Sequence, residues 1–89
     1  MRVKFSLEKV HGGIGMFNFG EHLKEVRLSH NITQKQLAQA IGASERGIQN
    51  YETGTRNPTY DILIALADYF DVSLDYLVGR TDNPEINKW

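Results

Sequence analysis

The spacing of hydrophobic residues along the chain changes near Phe19. Before this residue, Val3, Phe5 and Leu7 alternate with polar residues, which is the pattern of a short strand. After it, apolar residues recur three or four positions apart, which is the pattern of amphipathic helices. We therefore divide the chain into an N-terminal leader or short strand (1–18), a helical domain (19–79) and a C-terminal tail (80–89).

The leader has a second interpretation at the level of the gene. Residues 12–16 are Gly-Gly-Ile-Gly-Met, which a purine-rich stretch resembling a ribosome-binding site can encode just before a start codon. On this interpretation Met16 is the natural start, and residues 1–15 are not part of the natural product. Either way, we expect the leader to have an accessory role at most.

Capping residues divide the helical domain into short helices. The predicted helices cover residues 19 to about 31, 34–41, 44–52, 59–70 and 73–77. Thr33, Ser44, Thr59 and Ser73 are their predicted N-caps, and Asn31, Gly42, Gly54 and Gly79 mark the predicted helix ends. The sequence therefore predicts an all-α fold, a bundle of five short helices.

Composition places the chain among small globular domains. Its 89 residues are enough for one domain, and 40% hydrophobic with 24% charged residues is an ordinary balance. The absence of cysteine excludes disulfides, thiolate metal sites and a cysteine nucleophile. The longest apolar run, Ile62–Ala67, is far shorter than the ~20 residues that cross a bilayer. We expect a cytoplasmic protein without membrane contact.

The sequence does not assemble a catalytic or cofactor site. The Gly-rich segment His11–Gly15 lacks the Lys-Ser/Thr pair of a phosphate loop and the third glycine of a dinucleotide fingerprint. His11, His22 and His30 do not fall at the spacing of a metal-ligand motif, and we expect them at the surface. We predict no enzyme activity, no cofactor and no metal ion.

The net charge of −1 is low for a nucleic-acid-binding domain. The charges are unevenly placed, however, because residues 59–89 carry −4 and residues 31–58 carry +1. The composition is therefore compatible with a local electropositive face.

Residues 34–53 form the most informative segment. Its two predicted helices share a tight turn at Gly42-Ala43, and the small Ala38 permits them to cross closely. Its internal apolar residues are Leu37, Ile41, Ile48 and Tyr51. This arrangement leaves a polar exposed face on the second helix of the pair. Such a geometry is that of a helix-turn-helix, whose second helix enters the major groove of B-DNA.

Over about residues 19–77 the chain resembles the Cro/repressor-type (XRE) helix-turn-helix regulators. The matching residues, in order, are Leu23, Val26, Arg27, Thr33-Gln34, Leu37-Ala38, Ile41-Gly42, Ser44, Ile48, Glu52, Gly54, Asn57-Pro58 and residues 72–77. The resemblance implies a five-helix, lambda-repressor-like domain. It also implies sequence-specific binding of operator DNA and regulation of transcription, with repression favoured.

The candidate base contacts lie on the third helix, and they are Glu45, Arg46, Gln49 and Asn50. Arg46 can bond to O6 and N7 of guanine, and Asn50 either contacts adenine or is solvated. Glu45 either accepts from cytosine N4 or orients Arg46 or Gln34. Gln49 is expected to reach the backbone or base edges through water.

The candidate phosphate contacts are Gln34, Lys35, Ser44, Thr55, Arg56 and Asn57. Gln34 and Ser44 lie at helix N-termini, where backbone N–H groups and the helix dipole attract anions. Residues 55–57 follow the third helix, and Lys35 is expected near the DNA backbone.

The resemblance further implies a partly buried ion pair between Arg27 and Glu52, which would tie the first helix to the end of the third. We expect a homodimer on a palindromic operator, because one helix spans too few base pairs for useful specificity. The predicted dimer contacts are Leu74, Tyr76 and Leu77. An antitoxin or protein-interaction module, with a protein partner such as a toxin, is the alternative, since it can use the same fold.

Overall fold

The computed structural model describes residues 17–85, which form five helices. They are α1 (Phe19–Ser29), α2 (Gln34–Ile41), α3 (Glu45–Thr53), α4 (Tyr60–Phe70) and α5 (Leu74–Leu77). The all-α prediction is therefore confirmed. The strand predicted at residues 3–7, the start proposed at Met16 and the last four residues of the tail lie outside the described residues.

The helices begin where the sequence predicts because polar side chains cap their first turns. Thr33 and Gln36 form the predicted capping box of α2, each side chain bonding to the other residue's backbone N–H. Three more hydroxyl groups cap single helices, with Ser44 accepting from Gly47 N, Thr59 from Ile62 N and Ser73 from Tyr76 N. These bonds satisfy N–H groups that have no acceptor within the helix.

The turn between α2 and α3 depends on Gly42. This residue has φ +75, the left-handed region that side chains disfavour, and a Cβ built on it would meet nothing within 4 Å. Backbone conformation, not lack of space, therefore requires a glycine here. The Ala43 N–H donates to Ala38 O at 2.9 Å, which closes the end of α2.

Every helix contributes to one hydrophobic core. Its buried members are Leu23, Val26, Leu37, Ala38, Ile48, Tyr51, Leu66, Ala67, Phe70 and Leu77. The helix α3 packs against both α1 and α2, α2 also contacts α4, and α5 contacts α4 and α1. The core therefore fixes the orientation of α3 from two sides.

Two sequence-based expectations are wrong because the residues concerned are buried in the protomer. Leu77 is 0% exposed and belongs to the core, so its side chain is not available as a dimer contact. His22 is buried, not on the surface, and its ring packs edge-on against Phe17 and Tyr76 with centroid distances of 5.3 and 4.9 Å. Contact between α1 and α5 places His22 inside.

The crossing of α1 and α3 is close at Gly20. A Cβ on this residue would lie 2.7 Å from the carbonyl oxygen of Tyr51 and closer still to that of Glu52. Both obstacles are backbone atoms of α3, so a larger residue can be accommodated only if a helix moves. Gly20 is thus required by space, in contrast to Gly42.

We predict that Gly20→Ala lowers the free energy of unfolding by about 1–3 kcal/mol, the usual range for overpacking. The matched control is Gly47→Ala, because a Cβ there would have only the Ser44 hydroxyl, at 3.1 Å, as a near neighbour. Alanine also favours the helix by about 0.5–1 kcal/mol, so the control should stay within about 1 kcal/mol of the wild type. Urea denaturation of both variants measures the difference, and equal stability of the two would contradict a tight crossing at Gly20.

Candidate nucleic-acid interface

The outward face of α3 carries the four residues predicted to contact bases. Glu45 and Arg46 are exposed, and Gln49 and Asn50, four residues further along, are half-buried. Residues four apart lie on the same side of a helix, so the structure brings all four together. The opposite side of α3 holds Ile48 and Tyr51 in the core, which prevents rotation of the polar face.

The N-termini of α2 and α3 supply backbone donors beside this face. The first four N–H groups of a helix have no acceptor within it; the capping box of α2 satisfies two of them, and Ser44 satisfies one at α3. The remaining N–H groups and the helix dipole favour an anion at each N-terminus. Lys35, in the first turn of α2, is exposed and adds a positive charge.

The loop after α3 is folded back on the helix that precedes it. The Arg56 N–H donates to Asn50 O at 3.2 Å, and the hydroxyl groups of Thr53 and Thr55 lie 2.9 Å apart. Residues 55–57 are all exposed. The loop is thereby tied to the last turns of α3, and its three predicted phosphate contacts keep a fixed relation to the predicted base contacts.

A buried polar network joins α1, α2 and α3. Glu52 accepts from Arg27 Nε at 2.6 Å and from Arg27 Nη2 at 3.1 Å, and the two side chains are only 4% and 8% exposed. Glu52 also accepts from Gln34 Nε2 at 3.0 Å. The residue that orients Gln34 is therefore Glu52, not Glu45. Sequence reasoning missed this bond because 18 residues separate its partners and only the packing of α2 on α3 brings them together.

Exposed charge changes along the described part of the sequence. Around the α2–α3 pair the exposed basic residues are Lys35, Arg46 and Arg56, and Glu45 is the exposed acid. Glu52 is buried and neutralised by Arg27. The exposed acids on α4, on α5 and beyond are Asp61, Asp68, Asp71, Asp75, Asp82 and Glu85. The predicted interface is therefore locally electropositive in a chain with a net charge of −1.

The described stretch has neither of two features that mark other functional classes. Between residues 17 and 85, no three His, Cys, Asp or Glu side chains cluster as a metal site would require. The same residues form no helix with the length and hydropathy of a membrane span.

Comparison with known proteins agrees with this geometry. The family model described as helix-turn-helix matches residues 23–77. The HTH-type transcriptional regulator YobD of Bacillus subtilis is 38% identical over 65 residues, which are 73% of this chain and 58% of that protein. The phage CTXphi transcriptional repressor RstR of Vibrio cholerae is 40% identical over 60 residues, which are 67% of this chain and 54% of the repressor. The chain thus spans little more than half the length of these relatives.

A solved structure shares the fold. The P22 c2 repressor, crystallised in complex with a synthetic operator, superposes with a TM-score of 0.67 at 28% identity, over 71% of this chain and 96% of the repressor chain. The match by the family model covers more than half of the sequence, and it includes the α2–α3 pair and the helices packed on it. The chain therefore belongs to the helix-turn-helix family, among the Cro/repressor-type (XRE) regulators.

Proposed function

We propose that the chain binds operator DNA with α3 in the major groove and regulates transcription, as a repressor. The observation that carries this proposal is the set of four polar side chains on one outward face of α3, flanked by two helix N-termini and an exposed basic loop. A major groove about 12 Å wide admits one α-helix with its side chains, and such a helix needs phosphate contacts on both sides to fix its register.

Arg46 and Asn50 are the proposed determinants of sequence. They lie one turn apart on α3, so both can point into one groove. Arg46 is exposed, and its guanidinium can donate to O6 and N7 of one guanine. Asn50 can pair with N6 and N7 of an adenine, while Glu45 and Gln49 complete the same face.

The phosphate contacts are proposed to come from both sides of this face. Gln34 and Lys35 are at the start of α2, Ser44 is at the start of α3, and residues 55–57 follow its end. This set combines two basic side chains with polar side chains and the backbone donors of two helix N-termini, which suits a phosphate backbone and carries no sequence information of its own.

We propose that the protein acts as a homodimer on a palindromic operator. After the exclusion of Leu77, the proposed contacts are Leu74 and Tyr76, which are only half-buried in the protomer. The proposed function requires no catalytic step, and it places the protein in the cytoplasm with the DNA. Binding to a protein partner such as a toxin, without specific DNA binding, is the alternative that the experiments below separate.

We predict that Arg46→Ala weakens binding to the preferred operator by about 1–3 kcal/mol and relaxes the choice of base at one position. Arg56→Ala should weaken binding to all sequences alike and reduce the slope of log affinity against log salt by about one. Arg80→Ala is the matched control, because Arg80 is exposed, pairs with Asp75 and lies on the acidic side of the sequence. Operator selection from a random library, followed by titrations at several salt concentrations, measures all three variants.

Two outcomes of these titrations would count against the proposal. If Arg46→Ala and Arg56→Ala weaken every sequence equally, Arg46 does not contact bases. If neither variant differs from Arg80→Ala, neither Arg46 nor Arg56 contacts DNA, and if the wild type also binds no selected sequence, the partner-binding alternative replaces this proposal.

A second prediction concerns the number of half-sites. Because each α3 contacts few base pairs, we expect protection of two symmetric half-sites whose centres are about 10 base pairs apart, one helical turn of DNA. Hydroxyl-radical footprinting at saturating protein measures this spacing. Protection of one unpaired half-site would rule out the symmetric dimer.

A further inference from the structure

We propose that Glu52 is a positioning residue for DNA binding, which fixes the side-chain amide of Gln34 so that its free N–H donates to a DNA phosphate at the start of α2. This inference rests on the proposed function and deepens it. It gives the buried ion pair a second role beyond joining α1 to α3.

The carboxylate of Glu52 makes three bonds of defined geometry. Its Oε2 accepts from Arg27 Nε at 2.6 Å, and its Oε1 accepts from both Arg27 Nη2 at 3.1 Å and Gln34 Nε2 at 3.0 Å. The side chain of Glu52 is 4% exposed, so water does not compete for these bonds. Arg27 holds the carboxylate in one position, and the carboxylate in turn holds Gln34.

The chemistry of this contact selects one orientation of the Gln34 amide. An ionised carboxylate only accepts hydrogen bonds, whereas an amide offers two N–H donors on its nitrogen and an acceptor on its oxygen. With the nitrogen turned toward Glu52, one N–H is used there and the second stays available. A flipped amide would bring its oxygen against a buried carboxylate, which is unfavourable. Glu52 therefore decides that Gln34 acts as a donor.

The position of Gln34 makes this choice relevant to DNA. Gln34 is the first residue of α2 and is half-buried, so part of its side chain reaches solvent beside the first-turn N–H groups. Because Thr33 accepts from Gln36 N, the cap does not occupy the backbone N–H groups of Gln34 and Lys35. An amide N–H at this point adds a donor to the position favoured for a phosphate, where an amide oxygen would repel it.

Arg27 completes the arrangement on the backbone side. Its Nη1 donates to Ile32 O at 2.9 Å, two residues before α2 begins. The same guanidinium therefore fixes both the entry of the chain into α2 and the carboxylate that holds Gln34. Pairing with Arg27 also neutralises Glu52, so its charge does not oppose a nearby phosphate.

The test uses operator duplexes in which single phosphates are replaced by neutral methylphosphonates, and it compares wild-type protein with Gln34→Met, Glu52→Asp and Arg56→Ala. Met has no donor, whereas Glu52→Asp keeps the charge but withdraws the carboxylate by about 1.5 Å. We expect one methylphosphonate position to weaken wild-type binding about tenfold, the loss of one charge-assisted bond. Gln34→Met and Glu52→Asp should both become less sensitive at that position, where the backbone N–H groups of Gln34 and Lys35 remain, and should be unchanged at every other. Arg56→Ala, the matched control, should lose sensitivity at a different phosphate.

A purely structural role for Glu52 gives a different result. Glu52→Asp would then weaken binding to every duplex by the same factor and leave the pattern of sensitive phosphates unchanged, which would overturn the inference. If Glu52→Asp does not fold, as judged by circular dichroism, Glu52→Gln replaces it, since its amide can present either its oxygen or its N–H group and so no longer fixes the orientation of the Gln34 amide. If that variant also fails to fold, Gln34→Met decides: it keeps Glu52 and Arg27 but removes the donor, and undiminished sensitivity at the critical phosphate would overturn the inference. Failure of the wild type to bind any selected operator would instead refute the proposed function itself.

Discussion

The arrangement of this domain depends on the buried pair of Arg27 and Glu52. The two residues lie 25 positions apart and connect the last turn of α1 to the last turn of α3. Removing two charges from water is costly, so such a pair contributes little net stability, but leaving one partner alone typically costs about 3–5 kcal/mol. Its main effect is therefore to disfavour packings of α1 on α3 that would separate the two charges, because each would then be buried without its partner. Gly20 acts on the same crossing, because it permits the backbones to approach.

Separation of charge within the domain follows from this pairing. With Glu52 neutralised in the interior, the surface around α2 and α3 keeps three bases and one acid, while α4, α5 and the following segment expose acids. Within a chain of net charge −1, residues 34–57 thus expose more bases than acids. This uneven charge favours the proposed approach of α3 to the major groove.

Whether the sequence predicts a structural feature depends on how far apart along the chain the interacting residues lie. The caps of α2 to α5 follow from rules that connect residues three apart, and Gly42 follows from the conformation of a single residue, so the helix bounds are predictable. The bond from Gln34 to Glu52 and the burial of His22 depend on how helices cross, which no local pattern specifies. Leu77 illustrates the same limit, because an apolar residue on a short helix is equally compatible with a core and with a dimer contact. The four outward residues of α3 were predictable because they are what remains after its core positions are assigned.

The length of α3 sets how much information one protomer can extract from DNA. Nine residues at a rise of about 1.5 Å extend over roughly 13 Å, or about four base pairs at about 3.4 Å each. Four base pairs carry at most about 8 bits of sequence information, whereas identifying one site among about 10⁶ competing sites requires about 20 bits. Gly54, in the left-handed conformation, ends the helix, so α3 cannot extend over more base pairs. One copy of α3 therefore cannot specify a unique site, and on the proposed palindromic operator the spacing between the two half-sites would add to the specificity.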